Sequence, residues 1–534
     1  MDIPVNFFMW IMALLPILTL VILMVKFQWG ATEAAPVGLL ITIFTGIFLY
    51  KADVSLIAAE SAKGIWNALV ILLIVWTAVL MYQVSEAAKA FLVIRERMSK
   101  FFPNELLLVM TMGWIFESFL QGITGFGVPV AVGAPLLIGI GVRPLWAVIL
   151  PLLGQAWGNT FGTLAAAWDA LAVSAGIETG GKDYFLTALW AAIFLWLWII
   201  VTGVAMSWFY GKWKAVKKGF IATLIIATIQ GGGELVLSQV NTTISAFIPA
   251  CLSILAIIFI GKMSMYKAEW RIEDSPIMDR SKTTENPTAL PDMSLLQAFV
   301  PYIVLSVLTL FVLIISPVNQ FLSQFSIGFA FPETSTGYGH VNHAYESYSP
   351  IAIFTHASMF LFISSIIGLI YYKAKGWIKQ GESKSIFAKS IAMTMPSGIA
   401  VVGLVIMSKI MGGTGQTVVL ANGMAAVLGK SYIVLSPFIG MLGTFMTGSN
   451  MSSNILFGDF QMTTSKLLGA NFAAILGAQT AGGAIGSAIS PSKIILGTTT
   501  ANILGKEGDV LKTIIWITLL PTLLIGVVAY LASL

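Results

Sequence analysis

Phe119-Leu120-Gln121-Gly122-Ile123-Thr124-Gly125-Phe126-Gly127-Val128-Pro129-Val130-Ala131-Val132 decides how this chain is read, together with Thr447-Gly448-Ser449-Asn450-Met451-Ser452-Ser453-Asn454. Both runs mix glycine with small polar residues, and both lie inside long apolar stretches, 104–142 and 431–466. Glycine permits tight turns, so each stretch reads as two short helical limbs joined at a tip. The limbs are too short or too broken for clean spans and suit hairpins that dip into a bilayer and return. Non-helical backbone at membrane depth survives only where protein or a water-filled cavity satisfies its polar groups. Such interruptions point to a transport site.

The rest of the chain supplies the membrane. Of 534 residues, 57% are hydrophobic and 10% charged, with mean hydropathy +0.90. A soluble domain carries about 25% charged residues, so a water-soluble enzyme is excluded. The single Cys251 excludes a disulfide framework and a cysteine-based metal cluster. No charged segment precedes the first apolar run and no small-residue cleavage site follows it, so no signal peptide is expected. Apolar runs of spanning length fall at 8–26, 35–50, 64–84, 144–172, 185–210, 219–235, 242–261, 296–316, 351–372, 390–411, 468–492 and 511–533. The expected location is the cell membrane, with multiple passes.

Orientation follows from the basic loops. Lys89, Arg95, Arg97 and Lys100 read as cytoplasmic, as do Lys212, Lys214, Lys217 and Lys218. Lys262, Lys267 and Arg271 join them, with Lys373, Lys375, Lys379 and Lys384. The spans then alternate if both hairpins are re-entrant, the first opening to the cytoplasm at Arg143 and the second outside. Both termini come out external, after about eleven or twelve crossings. The polar stretch 268–294 reads as a cytoplasmic linker. The net charge of +5 reports this orientation, and no nucleic-acid partner is expected.

The parts recur in the same order on both sides of that linker. Gln155, Gly158 and Gly162 match Gln479, Gly482 and Gly486, each pair 324 positions apart, within two glycine-interrupted spans. Corresponding spans run in opposite directions, which makes an inverted repeat with its site near the bilayer midplane.

A helix restarting after each tip presents free N–H groups and a positive dipole end, which suits a carboxylate. Neither tip holds Arg or Lys, so a small, singly charged anion is expected. The first tip offers Thr124, Gly125, Phe126 and Gly127; the second offers Gly448, Ser449, Asn450, Ser452, Ser453 and Asn454. The interrupted spans add Gln155, Asn159, Thr160, Gln479, Gly482 and Gly483. Ionisable residues within spans are functional candidates. Glu117, a turn before the first tip, is the first choice for a proton carrier, followed by Asp459 and Asp169. Glu234 reads as a helix-end group, and Arg143 and Lys493 as interfacial anchors near cytoplasmic span ends, either of which could also attract anions. No cofactor or metal is expected.

Gly125-Phe126-Gly127-Val128-Pro129-Val130-Ala131-Val132 resembles the G-F-G-x-P-V-A-I/V signature of the L-lactate permease family. Phe445 to Gly458 resembles that family's F-x-T-G-S-D-x-S-S-N-x-L-F-G, and Ala481-Gly482-Gly483 and Ile489-Ser490-Pro491 resemble its S-G-G and I-S-P elements. The resemblance spans most of the chain and implies a proton-linked importer of lactate or glycolate. It also implies an all-α fold with paired re-entrant hairpins, two broken helices, a scaffold and a transport domain, elevator motion and a homodimer. Residues 1–84 and 296–411 are then scaffold spans of the two repeats. Residues 85–210 and 412–534 carry the linker helices, hairpins, broken helices and following spans, and 211–295 the connecting hydrophobic hairpin and linker. Two departures remove acids: Gln121 replaces the family Glu and Asn450 the family Asp.

Proton symport is the leading expectation. Moving a lone anion inward against a negative interior costs about 2.3 kcal/mol per 100 mV, which one proton removes. Sodium coupling is the rival, with Asn159, Thr160, Ser449, Asn450 and unwound carbonyls as ligands. A membrane metalloenzyme would rest on His340, His343 and Glu346, whose spacing does not match the His-Glu-x-x-His helix. The absence of a Walker-type run argues against ATP-driven transport by this chain.

Overall fold

A computed structural model describes residues 3–27, 29–125, 127–282 and 290–534. Among these, eleven helices are long and apolar enough to cross a membrane, or twelve with the bent pair Val300–Leu313 and Ser316–Ser323 taken as one span. Several helix starts are fixed by short polar side chains that accept otherwise unpaired N–H groups. Asp53 accepts from Leu56 N at 2.7 Å ahead of Val54–Ala87, and Asn471 accepts from Ala474 N at 3.2 Å ahead of Phe472–Gly486.

Helix Lys182–Ala227 departs from helical geometry at Gly211 and Lys212. Its limbs fold back on each other: a Cβ on Gly203 would lie 2.5 Å from Thr223 Cγ2, and one on Gly219 would lie 2.7 Å from Ser207 Oγ. The apolar runs 185–210 and 219–235 are therefore two antiparallel limbs joined at a basic turn.

Both glycine-rich stretches form helix–turn–helix hairpins. The first joins Glu105–Ile123 to Val128–Gly139, and the second joins Tyr432–Thr447 to Asn450–Leu467. Each leading limb packs in parallel against an interrupted helix through glycine. Gly154 lies on the Gly113 carbonyl and Gly162 on that of Gln121; Gly482 lies on the Pro437 carbonyl and Gly486 on that of Met441. Small residues let backbones approach this closely.

The first interrupted helix breaks between Pro144–Gly154 and Gly162–Ala175, around a short turn at Trp157–Asn159. The second breaks at 487–490, between Phe472–Gly486 and Pro491–Thr500. This corrects the expected position of the second interruption, because Gln479, Gly482 and Gly486 all lie in continuous helix. Gly482 and Gly486 provide close approach to a neighbouring backbone, while Pro491, which lacks an N–H, opens the next helix.

The expected cytoplasmic segments gather on one face. The linker docks there: Glu105 N bonds Trp270 O at 3.0 Å, Arg143 N bonds Ile277 O at 2.8 Å, and Arg280 pairs with Glu105 at 2.6 Å. On the opposite face the all-helical expectation fails. Ser326–Phe331 pairs antiparallel with Tyr345–Ala352, and Thr334–Ser335 with Val341–Asn342. This segment is rich in aromatic, β-branched and turn residues, which favour strands outside the bilayer. It is tied down through Gly337 N to Lys51 O at 2.9 Å and His340 Nε2 against Gly412 O at 2.9 Å.

The helices pack in two groups. Ala31–Phe48, Val54–Ala87, Ala357–Ala374 and Glu382–Gly413 lie against one another, while both hairpins associate with the interrupted helices and with Lys182–Ala227 and Glu507–Leu531.

A Cβ on Gly154 would overlap the Gly113 carbonyl, whereas one on Gly508 meets nothing within 4 Å. Gly154→Ala is expected to destabilise the protein by about 1–3 kcal/mol. In a thermal melt in detergent it should unfold earlier than wild type, and Gly508→Ala should melt with wild type.

Candidate functional site

The two tips turn by the same device. Helix Phe116–Ile123 ends at Thr124 in extended conformation, and Gly127 at φ +85° precedes the helix that Val128 and Pro129 begin. Helix Tyr432–Thr447 ends on Gly448 at φ +76°, and Ser449 caps the next helix by accepting from Ser452 N at 3.3 Å. These φ values fall where glycine is at home and other residues are strained. Phe126, expected in the first tip, lies outside the described residues.

Gly125 from the first tip and Gly448, Ser449, Asn450 and Met451 from the second line one narrow cavity of about 30 Å³. Gln121, Asn159, Gly162, Thr163 and Lys493 complete its polar and close-packed walls. At Gly448, Ser449 and Lys493 it adjoins a wider cleft of about 280 Å³, lined also by 30–32, Pro396, Ser452, Ser492 and Leu496. Helix Ala31–Phe48 leads from this cleft to Lys51, which meets the β-paired segment on the far side. The cleft therefore lies toward the basic face.

The wall at 163–165 is strained. Thr163, Leu164 and Ala165 adopt φ of 51°, 49° and 70°, a left-handed turn without glycine. Left-handed helical geometry costs a non-glycine residue roughly 1–2 kcal/mol, and such strain clusters at functional sites.

Asn450 ties this wall to the second tip. Its Nδ2 donates toward Asn159 O at 3.3 Å, Thr160 Oγ1 at 3.2 Å, and Thr480 O and Oγ1 at 3.1 and 3.2 Å. Two of these acceptors are carbonyls, which fixes which end of the amide faces them. Its Oδ1 is buried without a hydrogen-bond partner among the described residues, as is Gln121 Oε1.

Lys493 is 4% exposed. Its Nζ donates to Asn159 Oδ1 at 3.0 Å and Gln155 Oε1 at 3.3 Å, and no carboxylate among the described residues pairs with it. The expectation of an interfacial anchor is thereby corrected: this lysine lines the cavity where the tips meet. The nearby helix breaks at 155–161 and 487–490 carry it inward. A lysine two residues beyond Ile489-Ser490-Pro491, inside an otherwise apolar run, is the signal that marks it in the sequence. Thr163 and Thr480 carry no comparable signal.

Other expected residues serve the wall. Gln155 and Asn159 hold Lys493, and Thr160 meets Thr480 Oγ1 at 3.1 Å. Ser453 Oγ donates to Gly440 O at 2.8 Å, Asn454 Nδ2 to Ala167 O at 2.9 Å, and Gln479 Oε1 accepts from Gln461 at 2.8 Å. Gly483 backs onto Asn450 Oδ1, and Gly482 packs on Pro437. Thr124 Oγ1 donates to its own helix at Leu120 O, and Gly127 faces Leu496.

None of the three expected proton carriers lines the cavity. Glu117 is fully buried against Gly133 of its own hairpin, its carboxyl without a hydrogen-bond partner among the described residues. Asp169 accepts from Tyr184 OH at 3.4 Å, and Asp459 lies by Gly412. Arg143 donates to Met278 O at 3.0 Å on the basic face, and Glu234 is buried in the bent limb that ends at Ser238. His340, His343 and Glu346 do not converge: His340 bonds Gly412 O, and exposed His343 lies 4.0 Å from Glu333.

The cavity thus offers the Lys493 amino group, a helix start of positive polarity, hydroxyl and amide donors and a free acceptor at Gln121 Oε1, a set that fits a small anion with a hydroxyl group.

The chain is 26% identical over 555 residues to glycolate permease of Escherichia coli K12, covering 98% of this chain and 95% of that one. It is 25% identical over 556 residues to L-lactate permease of the same organism, with the same coverage. The solved YdaH transporter of Alcanivorax borkumensis aligns with 90% of this chain and 87% of its own at a TM-score of 0.49 and 12% identity. The L-lactate permease family profile matches residues 9–534, and the chain belongs to the L-lactate permease family.

Proposed function

We propose that this protein is a secondary transporter that imports small 2-hydroxy monocarboxylates, L-lactate or glycolate, together with protons. One observation carries the reading: the Lys493 amino group is buried between two helix tips without a carboxylate partner among the described residues, in a cavity that also holds Gln121, whose amide oxygen lacks a donor. The substrate carboxylate would take Lys493 Nζ and the Ser449 hydroxyl. Its hydroxyl would donate to Gln121 Oε1. The names of the glycolate and L-lactate permease relatives agree with that chemistry.

Proton coupling is favoured over sodium by the occupancy of the oxygens. Of the oxygens expected to hold sodium, Asn159 Oδ1 already accepts from Lys493 and Thr160 Oγ1 is engaged with Thr480 Oγ1. A monocarboxylate entering with one proton also moves no net charge against the membrane potential.

Alternating access would follow an inverted repeat. Hairpins entering from opposite faces would give that symmetry, and the parallel packing of each leading limb on an interrupted helix through glycine supports it. The group formed by 31–48, 54–87, 357–374 and 382–413 suits a scaffold, and the hairpins with their interrupted helices suit a transport unit moving as an elevator. The wide cleft on the basic side suits an inward-facing state.

Proteoliposomes preloaded with unlabelled L-lactate should accumulate labelled L-lactate by counterflow, and glycolate should compete; failure of both substrates overturns the reading. Gln121→Ala should weaken L-lactate transport about three- to tenfold, the value of one hydrogen bond. Propionate, which lacks the hydroxyl, should lose little, so an equal loss for both acids would count against hydroxyl recognition. Gly483→Ala would drive a methyl group into Asn450 Oδ1 and should abolish counterflow while the protein still elutes as a folded species.

A further inference from the structure

We infer that Lys493 itself couples the proton to the substrate: its side chain gains a proton when a carboxylate binds and releases it when the site empties. The inference rests on the reading of the cavity as a monocarboxylate site.

The geometry supplies a reason for two states. A neutral amine has two N–H groups and a protonated one has three. Two protein acceptors, Asn159 Oδ1 at 3.0 Å and Gln155 Oε1 at 3.3 Å, meet the nitrogen. They take both N–H groups of the neutral amine and leave the third N–H of the ammonium for a ligand. An ammonium buried without a counter-charge is costly, and a carboxylate beside it removes that cost.

Among the described residues no other ionisable side chain lines the cavity or the adjoining cleft. The helix that carries Lys493 packs against Val128–Gly139 and Pro144–Gly154, neither of which contains a titratable residue. It also meets Tyr432–Thr447, whose Tyr432 hydroxyl is taken by Gln461. Along Glu507–Leu531, Glu507 is held by Thr498 Oγ1 at 2.7 Å and Gly505 N at 3.0 Å, and Asp509 lies 3.5 Å from Lys506. That helix also carries Lys512 and Tyr530. From the other cavity walls come Glu105, paired with Arg280, then Glu117 against Gly133, Asp169 beside Tyr184, and Asp459 and Lys466 beyond the second tip. Glu33 follows the cleft residues 30–32, and Glu382, Lys384, Lys389 and Lys409 lie along the helix that contributes Pro396. None forms an ion pair with Lys493.

The cycle balances. On loading from outside, one proton from the outer solution adds to the amine, and the ammonium pairs with the arriving carboxylate. On unloading, the anion leaves through the cleft and the proton follows into the cytoplasm. The filled and empty sites are both neutral, so each crosses without moving charge. Lys493 borders both the cavity and the cleft, which gives the proton its exit.

The test uses the full-length protein in weak buffer with a pH-indicator dye, then in proteoliposomes. Wild type should take up about one proton for each L-lactate bound, as linkage requires of a group protonated only in the complex. Lys493→Arg keeps its charge at all working pH values. It should lose accumulation driven by a pH gradient. Lys493→Met should weaken lactate binding roughly tenfold or more. Lactate binding to wild type without proton uptake overturns the inference even if both variants misfold. So does gradient-driven accumulation at the wild-type level by either variant. A wild type that exchanges neither lactate nor glycolate fails at the earlier step and removes the monocarboxylate site as well.

Discussion

Backbone that leaves the helix inside a bilayer has no water to turn to, so its amides and carbonyls must find partners within the protein. In this chain the partners are the interrupted segments themselves. The Asn450 side chain, at the start of the second hairpin's return limb, reaches the Asn159 carbonyl, Thr160 and Thr480 together. Lys493, beyond the second helix break, reaches side chains in the first, at Gln155 and Asn159. Each break is satisfied by another, and the cavity is the space left where they meet.

Glycine makes that meeting possible in two ways. At Gly127 and Gly448 it supplies the positive φ that turns each tip. At Gly154, Gly162, Gly482 and Gly486 it removes the side chain that would keep two helices apart. The left-handed turn at Thr163–Ala165 uses no glycine, and its strain is borne by the surrounding packing. Helices anchored this closely form a stiff wall, which suits a site that must hold its donors in place through a transport cycle.

The ionisable group of the cavity is a base. The hairpin positions facing the space carry the neutral amides Gln121 and Asn450, and the ionisable group comes from Lys493. A lysine differs from a carboxylate as a site residue because its charged form attracts the anion directly. Anion recognition and proton carriage can then reside on a single nitrogen, with Asn159 and Gln155 orienting it. The buried Glu117 lies one turn away from the cavity wall and between the limbs of its own hairpin, so any influence on the substrate passes through Gln121 and the backbone.

The sequence by itself determined the membrane character, the basic face, the two hairpin tips and, among the polar residues around the cavity, Asn159, Ser449 and Asn450. These features are written in local composition: apolar run length, the distribution of lysine and arginine, and glycine beside small polar residues. Only the tertiary structure decided that Lys493 belongs to the cavity, that the second helix break falls at 487–490, that Gly482 and Gly486 serve packing, and that the outer segment 326–352 pairs as strands. Those outcomes depend on which surfaces meet across hundreds of residues. A lysine near a span end and a lysine between two broken helices look alike until the fold brings Asn159 and Gln155 to its nitrogen, because burial and hydrogen bonding belong to the packed chain and not to any single stretch of it.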